Sequence, residues 1–117
     1  MIDNDMHQLA YNLNNELLDY INHRNLNKLN SNYGITSAMF EEIEEVINDV
    51  GVDLKKVGLK IKGGKLLDIW EFDELNGYGV EVDLITINGE RTDLTLITEL
   101  DKVGEGYKLE YRQLGVM

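Results

Sequence analysis

The chain has 117 residues, 43% of them hydrophobic, which suits one domain with a single buried core and not a wholly disordered polymer. It holds no cysteine, which excludes disulfides, thiolate metal sites and a cysteine nucleophile. Twenty-two acids against eleven bases give a net charge of −11, a field that repels phosphate backbones and draws basic proteins inward.

The opening segment MIDNDMHQLAYN is acidic and lacks an apolar run, unlike a signal peptide. No apolar stretch approaches the roughly 20 residues of a membrane span, so a cytoplasmic protein without a membrane partner is expected. From Asp3 to about Arg24, residues Met6, Leu9, Ala10, Leu13, Leu17, Tyr20 and Ile21 recur at helical spacing. Asn12, Asn14, Asn15 and Asp19 are expected on the opposite, polar side. Helicity can run on toward Leu29, but the asparagine-rich RNLNKLNSNYG then reaches glycine, and Asn30 to Ile35 reads as a loop. Thr36 or Ser37 can cap a second helix that ends near Val50, with Gly51 as its stop. Its buried face is Phe40, Ile43, Val46, Ile47 and Val50, and Glu41, Glu42, Glu45 and Asp49 take the other.

After a connector at Val52 to Gly58, glycine pairs punctuate the sequence. Gly63-Gly64, Asn76-Gly77, Asn88-Gly89 and the looser Gly104-Glu105-Gly106 are turn signals, since such residues tolerate positive φ. Between them lie five predicted strands: Val57–Lys62, Lys65–Asp73, Tyr78–Ile87, Arg91–Val103 and Tyr107–Val116. Short connections favour sequential antiparallel pairing. The expectation is one α+β domain over residues 1–117, with two N-terminal helices packed on one face of a five-stranded antiparallel meander.

Side chains alternate across a strand. Val80, Val82, Leu84, Leu94, Leu96 and Leu100 are assigned to the covered face, with Tyr107, Leu109 and Tyr111. Leu66, Trp70 and Phe72 are placed with them, in the company of Asp68. The other face then carries Glu71, Asp73, Glu81, Asp83, Asp93 and Glu99. Arg91, Lys108 and Arg112 can relieve part of their repulsion. These acids, together with Glu41, Glu42, Glu45 and Asp49, are the candidate contacts for a basic partner. Tyr78 and Tyr33, expected in loops, are the candidate aromatic contacts. Lys55, Lys56, Lys60, Lys62 and Lys65 fall within eleven residues that contain no acid, a pattern that discourages edge-to-edge strand pairing.

Catalytic machinery is not legible. His7 and His23 are the two histidines, and helix rise holds them about 24 Å apart. There is no HExxH, P-loop, GxSxG or post-strand GxGxxG pattern, and no DxDxDG calcium loop. Asp83 and Asp93 could pair across a hairpin for acid–base work only within a pocket that shifts one pKa. No enzyme activity, catalytic residue, metal or cofactor is expected.

The stretch VEVDLITINGERTDLTLITEL, followed by LEYRQLGVM, resembles a small uncharacterised bacterial domain family with an R-[ST]-D-L-T-L strand. Arg91, Thr92 and Asp93 occupy its signature positions, and the likeness covers roughly Gly79 to Met117. In general character the chain is similar to the immunity proteins of bacterial polymorphic toxin systems, including contact-dependent growth inhibition. That resemblance implies a neutraliser of a basic protein toxin, a nuclease domain above all, with no direct contact to nucleic acid. The order of helices before sheet also resembles the nuclear-transport-factor-like cone, which implies a small-ligand or enzymatic domain with Asp68, Trp70 and Tyr111 around a cavity. A homodimerising module without a ligand is the third reading.

Overall fold

The computed structural model describes residues 4–63, 67–71 and 77–116. Three helices precede five strands: α1 (Asn4–Asn22), α2 (Leu26–Tyr33), α3 (Ser37–Asp49), β1 (Leu59–Ile61), β2 (Leu67–Glu71), β3 (Gly77–Thr86), β4 (Arg91–Val103) and β5 (Gly106–Val116). The class is α+β with an antiparallel sheet, as the sequence implies.

The additional helix is α2, whose second half, residues 30–33, falls in the stretch expected to be a loop. Asparagine has poor intrinsic helix propensity, but here it works at the ends. The Asn25 side chain accepts a hydrogen bond from the Lys28 amide, and Gly34 closes the helix at φ 70°. The Ile35 amide reaches back to the Leu29 carbonyl, completing a left-handed C-terminal cap. Leu29 and Tyr33, one turn apart, are both buried, so tertiary packing outweighs the weak propensity. Between α1 and α2 the chain turns at Arg24, whose φ is 55°. The Arg24 guanidinium pairs with Glu44 and lies 5.8 Å from the centre of the Phe40 ring, tying this corner to α3.

The strand order is β1-β3-β4-β5, with β2 also paired to β3. Sequential antiparallel pairing therefore holds from β2 to β5, and a simple five-strand meander does not. Leu59, Lys60 and Ile61 oppose Thr86, Ile85 and Leu84, while Leu67 to Glu71 oppose Val82 to Tyr78. β1 and β2 thus run in the same direction along one edge of β3. The expected hairpin at Gly63-Gly64 does not pair β1 with β2, because both strands pair with β3; Gly64 itself lies outside the described residues. Register explains how the sheet accommodates both strands. Ile69 comes eight positions after Ile61 and their partners Val80 and Leu84 are four positions apart, an even difference that keeps both isoleucines on the core side. The Asn76-Gly77 turn falls on residues that are only described from Gly77 onward.

The first helix buries Ala10, Leu17, Leu18 and Ile21 in one cluster with Leu29, Phe40, Ile43 and Ile47 of the other helices. Leu59, Ile61, Val80, Val82, Leu84, Leu94, Leu96, Leu100, Leu109 and Leu114 of the strands complete it. Polar groups also enter this region. Asn14, assigned by pattern to the solvent side, is fully buried and accepts a 2.9 Å hydrogen bond from the Thr98 hydroxyl. The Asn22 side chain donates to the Leu59 carbonyl and accepts from the Leu59 amide, both at 2.8 Å. It occupies the backbone groups of β1 that face away from β3, and so blunts an exposed edge. No helix among the described residues is long and apolar enough to cross a membrane.

Candidate functional site

Register assigns each strand residue to one of two sheet faces. Val80 opposes Thr98 and Val82 opposes Leu96, so these point to the apolar cluster. On the reverse face Glu81 opposes Ile97, Asp83 opposes Thr95 and Gly79 opposes Glu99. Glu99 in turn opposes Glu110, and Asp101 opposes Lys108. On β5 the register slips around Arg112, a bulge that lets both Tyr111 and Leu114 meet the core.

The second strand departs from expectation. Ile69 opposes Val80 and packs against the core, whereas Asp68 opposes Glu81 and Trp70 opposes Gly79. Trp70 and Asp68 therefore belong to the acidic face. The sequence assigned the aromatic to the core side because bulk and hydrophobicity outweigh a neighbouring acid in any pattern. The glycine across the strand, which has no side chain to compete for that space, is the missed signal. Glu71 changes sides as well: it opposes Tyr78, on the core side, and is exposed at the strand end. Asp73 lies outside the described residues.

The acidic face thus gathers Asp68, Glu81, Asp83, Glu99, Asp101 and Glu110. Arg112 bridges Glu99 at 2.7 Å and Glu110 at 3.1 Å, and the hydrogen bond to Glu99 holds its guanidinium pKa above the usual value. Glu99, Asp101 and Glu110 carry oxygen atoms within 4.8 Å of one another, and Arg112 already supplies a cation to two of the three. The cross-strand pair Asp68–Glu81 has no ion-pair partner among the described residues.

Asp83 and Asp93 are brought together in a recess of about 240 Å³ that Lys62 and Arg91 also line. The register shifts between Asp83 and Ile85. The Thr92 hydroxyl donates to the Leu84 carbonyl at 2.6 Å and accepts from the Leu94 amide. Thr92 therefore serves the backbone of the irregularity, and Arg91 and Asp93 are left exposed beside it.

The helical acids make a separate surface. Glu41, Glu45 and Asp49 line an open groove of about 760 Å³ with Glu44, Asp53, Arg24 and Lys55. Glu42 faces another recess, beside Tyr111 and Arg112. Neither tyrosine picked for contact lies in a loop. Tyr78 sits in β3 with its ring 6.0 Å from that of Tyr107. Tyr33 lies in α2, buried, and its hydroxyl donates to Glu16 at 2.8 Å. Burial, followed by that hydrogen bond, raises its pKa far above the ordinary tyrosine value. Tyr111 is raised in the same direction by burial. It faces the core cluster, whereas Asp68 and Trp70 face the reverse side, so these three do not share a cavity. His7 and His23 are exposed, and His23 contacts Asp19 one turn earlier.

A family model described as a domain of unknown function, DUF7668, matches residues 16–117. The match is to an uncharacterised family and spans far more of the chain than residues 79–117. No curated protein matches the chain.

Proposed function

We propose that this chain, which belongs to the DUF7668 family of domains of unknown function, is a small acidic immunity protein that captures a basic protein toxin and occludes its working surface. In this reading the three helices close one face of the sheet and leave the other to the partner. The observation that carries it is the cross-strand pairing of carboxylates, Asp68 against Glu81 and Glu99 against Glu110. Like charges directly opposed on a sheet are each unfavourable by roughly 0.2–1 kcal/mol. Arg112 offsets one pair, and the other stands without a cation among the described residues. A cationic macromolecule would relieve that repulsion on binding and be steered toward it from a distance. A nuclease toxin fits best, because a groove built for phosphates accepts a row of carboxylates in their place.

Glu41, Glu42, Glu45 and Asp49 supply a second negative surface that broadens the steering field. In this reading inhibition is by binding alone, in the cytoplasm and with no cofactor required. Coexpression with a basic nuclease toxin encoded beside the gene tests the reading. The native chain should restore growth. A variant carrying Asp68→Asn, Glu81→Gln, Asp83→Asn and Asp93→Asn should fail to do so while remaining folded. Rescue that survives this fourfold neutralisation would remove the sheet face from the mechanism. Repeating the assay with Glu41→Gln, Glu42→Gln, Glu45→Gln and Asp49→Asn measures what α3 adds.

A further inference from the structure

Trp70 is the sole tryptophan of the chain, and 41% of it is exposed. A tryptophan on a sheet face otherwise dominated by carboxylates is not explained by core packing. Its placement is nonetheless tightly constrained. A Cβ built on Gly79 would lie 2.1 and 2.2 Å from two carbons of the Trp70 ring and 2.6 Å from its Nε1. The indole therefore lies across the glycine backbone, in space that any larger residue would fill. A cross-strand aromatic laid over glycine stiffens a sheet, and a stiff aromatic is a surface ready to bind with little further loss of rotamer freedom.

The surroundings determine what would bind. Asp68 precedes Trp70 by two residues on the same face of β2 and is roughly 7 Å along the strand. Glu81 opposes Asp68, and Glu99 opposes Gly79 on the following strand. An aromatic plate rimmed by three carboxylates complements a planar cation. Resting on the function proposed above, we propose that Trp70 is the anchor of the acidic face. An arginine side chain of the basic partner stacks on its indole, and the guanidinium is bonded by Asp68 or Glu81, since Glu99 already pairs with Arg112. Arginine fits better than lysine because its weakly hydrated plane both stacks on rings and forks onto carboxylates. The groove beside α3 is lined by two cations of its own, Arg24 and Lys55, and by no aromatic residue, so it lacks this combination.

Octaarginine and octalysine peptides test the assignment, read by calorimetry and by the fluorescence of the single tryptophan. The native chain should bind octaarginine more tightly than octalysine and change its emission on doing so. Trp70→Leu should weaken octaarginine by about 3- to 30-fold and leave octalysine nearly unchanged, erasing the preference. Gly79→Ala, which forces the ring away while retaining it, should do the same, and circular dichroism would show that each variant is folded. Equal affinity for both peptides, with no change in emission and no loss in folded Trp70→Leu, would overturn the arginine anchor while the acidic-face reading stood. Failure of both peptides to bind the native chain would overturn the two together.

Discussion

The contact between Asn14 and Thr98 joins the first helix to the middle of the sheet, and its removal should reveal how strongly a buried polar pair couples them. Both side chains are 0% exposed. The Thr98 hydroxyl donates to Asn14 Oδ1 at 2.9 Å, and Asn14 Nδ2 donates to the Ala10 carbonyl at 2.8 Å. Thr98→Val preserves shape but leaves the Asn14 oxygen buried without a donor. Losing the bond and stranding its partner should destabilise the fold by about 1–3 kcal/mol. At a urea slope of about 2 kcal/mol/M, the midpoint falls by about 0.5–1.5 M. Asn14→Leu should also destabilise, because it strands the hydroxyl. The double variant should recover much of the loss, since apolar groups of similar shape replace both members. A double-mutant cycle in urea, followed by far-ultraviolet circular dichroism, should give a coupling of about 1–2 kcal/mol. Additive single effects, with coupling below about 0.5 kcal/mol, would refute the bond as a joint between helix and sheet.

Asn22 should be less replaceable than its half-exposed position suggests. It satisfies both the amide and the carbonyl of Leu59, so Asn22→Ala should destabilise by about 1–3 kcal/mol. Asn22→Asp, which retains the acceptor but turns an anion toward a carbonyl, should rescue none of that in thermal melts. Gly34→Ala should lose about 1–2 kcal/mol, because the residue has φ 70° and open space where a methyl would go, making the penalty one of backbone conformation. Alkaline unfolding should report Tyr33. Its pKa is raised in the folded chain, so its contribution is complete below the unfolded tyrosine value near 10 and is lost as pH climbs above it. Urea midpoints of the native chain should therefore fall more steeply than those of Tyr33→Phe between pH 9 and 11, and parallel slopes would contradict the assignment.

The elements differ in how openly the sequence declares them. Strands β3 to β5 are plain because valine, leucine and isoleucine alternate with charge and because Asn88-Gly89 and Gly104 place the turns. Helix α3 is equally plain: the Thr36 side chain accepts from the Met39 amide, as the cap pattern implies. The second helix is hidden because its stability comes from Leu29 and Tyr33 reaching a core that the local sequence does not contain. Asn14 is hidden for a related reason. An amide on a helix reads as solvent-facing unless a partner 84 residues away is already known.

The acidic face divides in the same way. Its acids on β3 and β4 are legible from alternation alone, and Glu81, Asp83 and Glu99 fall where alternation puts them. The second strand is different, because Asp68 and Trp70 alternate against Ile69 with no local feature to say which set faces the core. Pairing with β3 decides it: Ile69 meets Val80 over the apolar cluster, and Trp70 meets Gly79, which leaves room for an indole. That single parity choice removes the shared cavity of Asp68, Trp70 and Tyr111 and gives the acidic face an aromatic centre. It also converts a diffuse negative charge, which attracts any cation, into an arrangement that can prefer arginine. Long-range attraction sets how fast a basic protein arrives, whereas a desolvated aromatic contact sets how long it stays. Neutralising Asp83 and Asp93 should therefore act mainly on association and fade at high salt, while truncating Trp70 should act mainly on dissociation and persist there.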